Sequence, residues 1–239
     1  KHNISGELLM MRDEMKKRQA ESVRQQWVSE GLNKVAEIVR DHQSNFEMLC
    51  QNALSFIIKY LNAQQGGLFV LNDDNEEDPH IELVSCYAFN KKKFVTKRVE
   101  IGEGVLGQIF MEGEPVYLTD VPKDYVAITS GLGEANPRCL VIFPMKQNET
   151  VVALIEIASF TALDQHARDF LANACKSIAA SIVAIQSGIK TKLLLEKSQQ
   201  QTEEMRSQEE EMRQNMEELE ATQEEMRRRE IGVKAPAAS

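Results

Sequence analysis

Apolar residues recur at helical spacing in the first sixty residues of the chain. A 4-3-4 spacing places four of them on one face of a predicted helix over about residues 6–39. These four residues are Val28, Leu32, Val35 and Val39. A polar break at residues 41–45 precedes a second predicted helix near residues 46–61. Its apolar face carries Phe46, Leu49, Ala53, Phe56, Ile57 and Tyr60.

The middle of the chain changes to short apolar runs and period-two alternation, which predict β-strands. The predicted strands cover residues 68–71, 81–89, 95–101, 116–118, 139–145 and 151–159. One face of the second strand is expected to carry Leu83, Ser85, Tyr87 and Phe89. A polar turn at residues 146–150 joins the last two strands as a hairpin, so that pair is antiparallel. A short helix is predicted at residues 105–111, and residues 120–138 are expected to be irregular.

A long helix is predicted to begin at Asp164, whose side chain can cap its first turn, and to continue into the tail. Methionine or leucine recurs at every seventh position of the tail, which is the narrow apolar stripe of a coiled coil. The predicted seam consists of Ile182, Ile185, Ile189, Met205, Met212, Leu219 and Met226. Its isoleucines do not continue in phase into the methionines, so we expect a stutter between them.

These elements predict an α+β fold in which helices lie on one side of a mainly antiparallel sheet, with long helices at both ends. The predicted parts are an N-terminal helix at 1–43, a central domain at 44–187, a coiled-coil helix at 188–232 and a disordered tail or cloning remnant at 233–239. Because the chain begins with lysine, we expect it to be a piece of a longer protein.

Charge and cysteine usage narrow the function classes. The net charge of −9 argues against a general nucleic-acid binder, which would carry a basic face. The four cysteines are far apart in sequence, which favours free buried thiols in a reducing compartment. No apolar run is expected to span a bilayer, so the expected location is the cytoplasm. Any membrane attachment is expected only through upstream segments, as in the cytoplasmic part of a membrane-anchored receptor.

A GxGxxG pattern at Gly102, Gly104 and Gly107 resembles a dinucleotide-binding fingerprint, with Asp120 near the position of a ribose-binding acid. Two observations argue against that interpretation. The preceding strand alternates, whereas the first strand of a dinucleotide fold is continuously apolar. The following helix also ends after about two turns at residues 112–115. We therefore expect the glycines to turn a chain that packs closely on the sheet.

Four segments together resemble the GAF domain family. They are Ile101–Ile109, Gly113–Val121, Arg138–Met145 and Val152–Ser159. The resemblance covers about residues 46–185 and implies an α+β domain with a ligand pocket between the sheet and the irregular segment 120–138. Residues 4–15 resemble the end of a HAMP linker, and residues 208–230 are similar to the signalling helices of bacterial multidomain receptors.

Pocket candidates follow from that resemblance. From the irregular segment they are Tyr125, Ile128, Ser130 and Leu132, and from the sheet they are Tyr87, Phe89, Cys139, Val141 and Glu156. Each of these residues can equally fill the core. Glu156 is the exception, because a carboxylate in an apolar strand must reach solvent, find a partner or serve a ligand. No certain cofactor is expected, only an unidentified small molecule.

The chain lacks a residue that each of the specialised GAF chemistries requires. In Phe160–Gln165 a glutamine replaces the glutamate of the cyclic-nucleotide-binding pattern. Bilin attachment would require a histidine beside the reactive cysteine, and no histidine lies near Cys139 in sequence. The four histidines, His2, His42, His80 and His166, are expected to be solvated, and no metal site is expected. A free methionine sulfoxide reductase needs an activated cysteine and a resolving one. Cys86 and Cys139 could share the sheet, but that family's close cysteine spacing is absent.

The resemblance implies a sensory or relay GAF domain without catalytic residues. It would act as a parallel homodimer through its N- and C-terminal helices. It would pass a ligand- or input-induced change to a covalently linked output domain, such as a histidine kinase, a cyclase or a chemotaxis-type module. Two alternatives stay open at this point: a dimerisation scaffold without a ligand, and a cysteine-dependent free methionine sulfoxide reductase.

Overall fold

A computed structural model describes most of the chain. Its backbone is described at residues 4–75, 77–88, 91–92, 97–119, 121, 128–130 and 133–233, and its side chains at 9–75, 77–88, 97–119, 121 and 136–228. Four helices are present in these ranges. They are α1 (Ile4–Asp41), α2 (Phe46–Tyr60), α3 (Gly104–Glu112) and α4 (Gln165–Val233). Each overlaps a helix predicted from the apolar spacing.

The central sheet is antiparallel throughout, in the strand order β3-β2-β1-β9-β8-β5 with β4 also paired to β2. Its strands are β1 (Gln65–Asn72), β2 (His80–Ala88), β3 (Lys91–Lys92), β4 (Arg98–Glu100), β5 (Val116–Leu118), β8 (Cys139–Gln147) and β9 (Thr150–Ser159). A separate hairpin pairs β6 (Ile128–Ser130) with β7 (Gly133–Ala135), so the prediction that residues 120–138 are irregular is wrong there. The predicted α+β class is confirmed.

The two faces of the sheet have different coverings, and β9 shows both. Ala153, Ile155 and Ile157 point to one side, where they join a core with residues of α1, α2 and α4. We call this side the helix face. Leu154 and Ala158 point to the other side, called the distal face, where the core includes residues of α3. Alternating residues of one strand therefore serve two separate hydrophobic clusters.

A β-bulge in β2 changes which residues share a face. Leu68 of β1 pairs with Ser85, but the next residue, Phe69, pairs with Leu83, so Val84 has no partner on β1. An extra residue in one strand reverses the alternation beyond it. The prediction that Leu83 and Tyr87 share a face is therefore wrong. Tyr87 joins the core of the helix face, whereas Leu83 packs on the distal face.

Aromatic rings join α1 to the rest of the domain. Trp27 stacks on Tyr60 with ring centroids 4.5 Å apart, and Phe170 of α4 makes a T-shaped contact with Trp27 at a centroid distance of 5.5 Å. Gly31 lies beside these rings, because a Cβ atom added there would be 2.5 Å from a Tyr60 ring carbon and 2.7 Å from a Phe170 ring carbon. The lack of a side chain at Gly31 therefore lets α1 approach the aromatic rings closely.

The start of α4 belongs to the domain. The Asp164 carboxylate accepts a hydrogen bond from the Ala167 amide at 2.9 Å, which is the predicted N-terminal cap. Ile182 and Ile185 are 0% and 7% exposed in the helix-face core. Their assignment to a coiled-coil seam is therefore wrong, because their side chains already pack within their own domain.

The chain divides into two compact units, residues 1–186 and 187–239. Within the second unit the remaining predicted seam residues are all exposed on α4. They are Ile189, Met205, Met212, Leu219 and Met226. Met216 is exposed as well and lies four residues from Met212 and three from Leu219, so it extends the same stripe.

One helix among the described residues, α4, is long and apolar enough to cross a membrane, with a window of mean hydropathy 1.4 of which 22% is buried. The expectation that no segment could span a bilayer is therefore wrong as far as length and composition go. A single such helix is weak evidence for a membrane span, because the core helix of a soluble protein passes the same test.

We predict that Gly31→Ala lowers the free energy of unfolding by about 1–3 kcal/mol, because the new methyl group must displace packed aromatic rings. Helix propensity alone would favour the alanine by about 1 kcal/mol. The control is Gly188→Ala in α4, where an added Cβ has no described atom outside the local helix backbone within 4 Å. Urea unfolding followed by circular dichroism compares the two, and equal stabilisation of both variants would contradict the packing argument.

Candidate functional site

A groove of about 240 Å³ opens on the distal face between β2, β1 and β9. We call it the distal groove. It is lined by Gln65, Gly66, Gly67, Phe69, Leu83, Cys86, Ala88, Lys97, Glu156 and Ala158. Most of the lining is apolar, and the charged residues among these are Lys97 and Glu156. A small molecule with an apolar body and polar ends matches such a lining.

Gly67 keeps the floor of the groove open. It pairs with Cys86 on one neighbouring strand and with Glu156 on the other, so these three residues form a row across the sheet. A Cβ atom at Gly67 would lie 3.0 Å from a Phe69 ring carbon and 3.1 Å from a Leu83 methyl carbon. Any larger side chain would therefore push these two walls or occupy the groove itself.

A second cavity of about 400 Å³ adjoins the distal groove. The two cavities share Lys97 and Glu156, and the second one continues along β4 to the first turn of α3 at Gly104. A basic and an acidic side chain therefore stand where the two cavities meet. A ligand that extends from one cavity to the other would pass both charges.

The glycine-rich turn before α3 fixes this second cavity. Gly102 and Gly104 have φ values of 85° and 63°, in the left-handed region that favours glycine. A Cβ at Gly107 would be 2.3 Å from the carbonyl oxygen of Glu100, and the Gly107 oxygen accepts from the Gly102 amide at 3.0 Å. This confirms the prediction that the glycines serve a tight turn and close packing.

An ion-pair network holds β4 against β2 beside the groove. The Arg98 guanidinium bonds to the carboxylates of Asp78 (3.0 Å) and Glu100 (2.6 Å). His80 Nδ1 lies 2.8 Å from the Asp78 carbonyl oxygen, and its Nε2 lies 2.8 Å from a Glu82 carboxylate oxygen. The contact with the Asp78 carbonyl oxygen, and after it the contact with Glu82, raises the pKa of His80. The hydrogen bond from Arg98 lowers the pKa of the Asp78 carboxyl. His80 is only 9% exposed, so the expectation that it is solvated is wrong.

A family model described as GAF domain matches residues 43–183 of the chain, which is more than half of its length. The chain belongs to the GAF domain family. GAF domains are generally sensory or regulatory domains, and most are not catalytic. A sequence comparison with curated proteins finds no match.

Solved structures share this GAF fold at low sequence identity. A free methionine-R-sulfoxide reductase from Neisseria meningitidis has a TM-score of 0.52 at 16% identity, over 67% of this chain and 91% of that one. The GAF domain of a phosphoenolpyruvate-protein phosphotransferase from Coxiella burnetii has a TM-score of 0.52 at 17% sequence identity, over 67% of this chain and 97% of that one. A protein described as a GAF sensor from Burkholderia vietnamiensis has a TM-score of 0.52 at 12% sequence identity, over 68% of this chain and 98% of that one. At these identities the similarity shows the fold alone.

The predicted pocket residues of the GAF domain do not all meet at the groove. Glu156 borders it, but Tyr87, Cys139 and Val141 are 6%, 3% and 0% exposed in the core of the helix face. Their assignment to the pocket is wrong because strand alternation, reversed in β2 by the bulge, turns them away from the distal face. Lys59 of α2 lies over the Tyr87 ring at 5.8 Å, on that same side.

The other predicted pocket residues are not placed against the groove. Ile128 and Ser130 lie in β6, where they pair with Ala135 and Gly133, and their side chains lie outside the described residues. Phe89, Tyr125 and Leu132 lie outside the described residues altogether. For these five residues a role in the pocket stays a prediction.

Of the ten residues that line the groove, the sequence predicted Glu156 alone, and the nine that it missed include Phe69, Leu83, Cys86 and Lys97. One available signal was the Gly66-Gly67 pair inside a strand, because strand glycines often mark the close approach of a ligand or of another backbone. The bulge itself left no such signal, since β2 reads as a regular alternation.

The four cysteines do not converge. Cys86 borders the distal groove, whereas Cys50, Cys139 and Cys175 are buried in the helix-face core. Burial raises the pKa of Cys50 to about 12 and that of Cys175 also rises. Within the described ranges, no group of three or more histidine, cysteine, aspartate or glutamate side chains is arranged to hold a metal ion.

We predict that His80→Gln costs more stability at about pH 5.5 than at about pH 8.5. The folded protein raises the pKa of His80 above its ordinary 6.5, so the stabilisation is fully present below that value. It is lost as the pH rises through the folded-state pKa. Urea unfolding at the two pH values measures the difference. Glu82→Gln, which leaves a neutral acceptor, should shrink the pH dependence, and an equal loss at both pH values would contradict the prediction.

Proposed function

We propose that this GAF domain is a non-catalytic sensory or relay domain of a multidomain signalling protein. A small molecule binds in the distal groove, and the resulting change passes through α1 and α4 of a parallel homodimer to a covalently linked output domain. The proposed setting is the cytoplasm, either as a soluble protein or as the cytoplasmic part of a membrane-anchored receptor. The observation that carries the proposal is the distal groove with its glycine floor.

The groove supports ligand binding because its shape depends on a residue without a side chain. A side chain at Gly67 would press on Phe69 and Leu83 and reduce the groove, so the strand glycine preserves the space beside these two walls. An open apolar floor bordered by a lysine and a glutamate matches ligand sites, which combine apolar walls with a few polar groups.

The cysteine positions support a non-catalytic role. A thiol-dependent reductase needs a thiolate and a second cysteine within reach of it. Cys86 and Cys139 lie on opposite faces of the sheet, so their thiols do not share a pocket. Desolvation also holds the buried thiol of Cys50 in its protonated form.

The helices support a relay. Residues of α4 up to Ile185 are part of the domain core, and the α-helix runs from Gln165 to Val233. Past that core the exposed apolar stripe on α4 needs a partner helix to be covered. An identical stripe on a second copy is the simplest partner, because it repeats with the same spacing.

We predict that the GAF domain gains thermal stability from one class of small molecule. The screen covers purines, cyclic nucleotides, amino acids and tetrapyrroles. A true ligand at about ten times its Kd should raise Tm by about 3–5 °C. Gly67→Val narrows the groove and should abolish the shift, whereas Thr150→Val at the exposed start of β9 should retain it.

A shift that survives Gly67→Val would place the ligand elsewhere and contradict the proposed groove. If no compound of these classes shifts Tm, the scaffold alternative is favoured over sensing. Methionine sulfoxide turnover that is lost on Cys86→Ser, the cysteine at the groove, would instead favour the reductase alternative.

We predict a dimer in solution at micromolar concentration, with twice the chain mass of 27.1 kDa by light scattering. The double variant Met212→Lys/Leu219→Lys should weaken dimerisation at least about tenfold, because it removes buried apolar contacts and adds like charges. The matched control is Gln214→Lys/Ala221→Lys, which adds the same charges off the stripe. A monomeric wild type, or equal weakening by both variants, would contradict the seam.

The direction of the two helices has its own test. In a parallel dimer a Met226→Cys variant brings two identical positions together near the end of α4, so mild oxidation should link the chains. In an antiparallel dimer those two cysteines lie far apart and no link should form.

A further inference from the structure

A third cavity is formed by residues of α1, the end of α2 and the start of α4. It has a volume of about 410 Å³ and separates α1 from the segment that leads into α4. We call it the α1 cleft, and its principal lining residues are Arg24, Trp27, Tyr60, Leu163, Asp164 and His166. It shares no lining residue with the distal groove. Its volume falls within the usual range of small-molecule sites, about 300–1,000 Å³.

Two aromatic residues form one wall of the α1 cleft. The rings of Trp27 and Tyr60 are stacked with an angle of 16° between their planes. Phe56 also stacks on Tyr60, with ring centroids 5.1 Å apart, so a planar aromatic partner would meet Trp27 and the edge of Tyr60, by offset stacking or by edge contacts.

This wall is held in place without any ligand. The Tyr60 hydroxyl donates a hydrogen bond to the Trp27 carbonyl oxygen at 2.6 Å, and Phe170 packs against both rings. Burial, and then the nearby charge of Glu30, raise the pKa of Tyr60, so its hydroxyl stays a donor. A preformed wall lowers the ordering cost that a ligand must overcome.

The Arg24 guanidinium gives the cleft one group that can bind an anion. Arg24 and His166 line it, and no ion pair joins either of them to an acid within the part of the chain that the structure describes. Asp164 is the acid of the lining, and one of its oxygens already accepts the Ala167 amide of the helix cap. A guanidinium without an acidic partner is suited to a carboxylate, which it can bind through two parallel hydrogen bonds.

We propose that the α1 cleft is a second binding site, for a small planar aromatic carboxylate. The aromatic ring lies against the Trp27 and Tyr60 wall, and the carboxylate accepts hydrogen bonds from the Arg24 guanidinium. The His166 imidazole, which also lines the cleft, can donate a further hydrogen bond. Such a ligand contacts α1 and the first turn of α4 at once, so it strengthens the attachment of α1 to the domain.

Intrinsic fluorescence tests this site directly, because Trp27 is the single tryptophan of the chain. The full chain is titrated with benzoate, with benzamide as the neutral aromatic and with acetate as the non-aromatic anion. Benzoate should change the emission with saturation. Benzamide should bind at least about fivefold more weakly because it lacks the charge, and acetate should have no saturable effect. A linear response to benzoate, or equal binding of benzamide, would overturn the proposal.

Variants and amide shifts locate the binding. Arg24→Gln should raise the Kd for benzoate about five- to tenfold, and Arg40→Gln, also exposed on α1 but outside the cleft, should leave it unchanged. In NMR spectra benzoate should shift the Leu163 and Ala167 amides and leave Ala88 and Ala158 unshifted. Equal Kd values for the two variants, or shifts at the distal groove alone, would refute the site. Neither result depends on whether the distal groove binds a ligand.

Discussion

The burial of one face of the central sheet beneath three helices is the interaction on which the rest of the structure depends. It commits alternate residues of every central strand to a dry core, as Ile155 and Ile157 show on β9. The residues between them, such as Glu156, must then point to the distal face. A polar residue there can border a groove, whereas one position along the strand it would be buried in apolar surroundings. The location of the candidate site thus follows from the packing of the opposite face.

Much of the fold could be predicted from the sequence, because the apolar spacing of helices and strands is a local property. The capped start of α4 and the hairpin of β8 and β9 are examples. The bulge at Val84 could not be predicted, since it arises from the pairing of β2 with β1 rather than from any residue of β2 alone. That single extra residue determines which side chains of β2 reach the groove.

The candidate site was predicted less well than the fold, for a physical reason. Glu156 was recognisable because a carboxylate in an apolar strand needs a special environment. Cys139 and Val141 looked equally suitable for either face, because an apolar side chain carries no mark of which hydrophobic cluster it joins. Gly67 went unrecognised for a related reason: its contribution is the absence of a side chain, which has meaning only once its two neighbouring strands are known.

The placement of the thiols allows cysteine labelling to detect separation of the helices from the sheet. Cys50, Cys139 and Cys175 are closed off in the helix-face core, and Cys86 is the half-buried one at the groove. An alkylating reagent can reach the three core thiols only when α2 or α4 separates from the sheet, so their labelling rates measure the population of open molecules. Cys86 labels without that step. Mass spectrometry of partly alkylated chains would therefore distinguish movement at the groove from loosening of the helix face in the same sample.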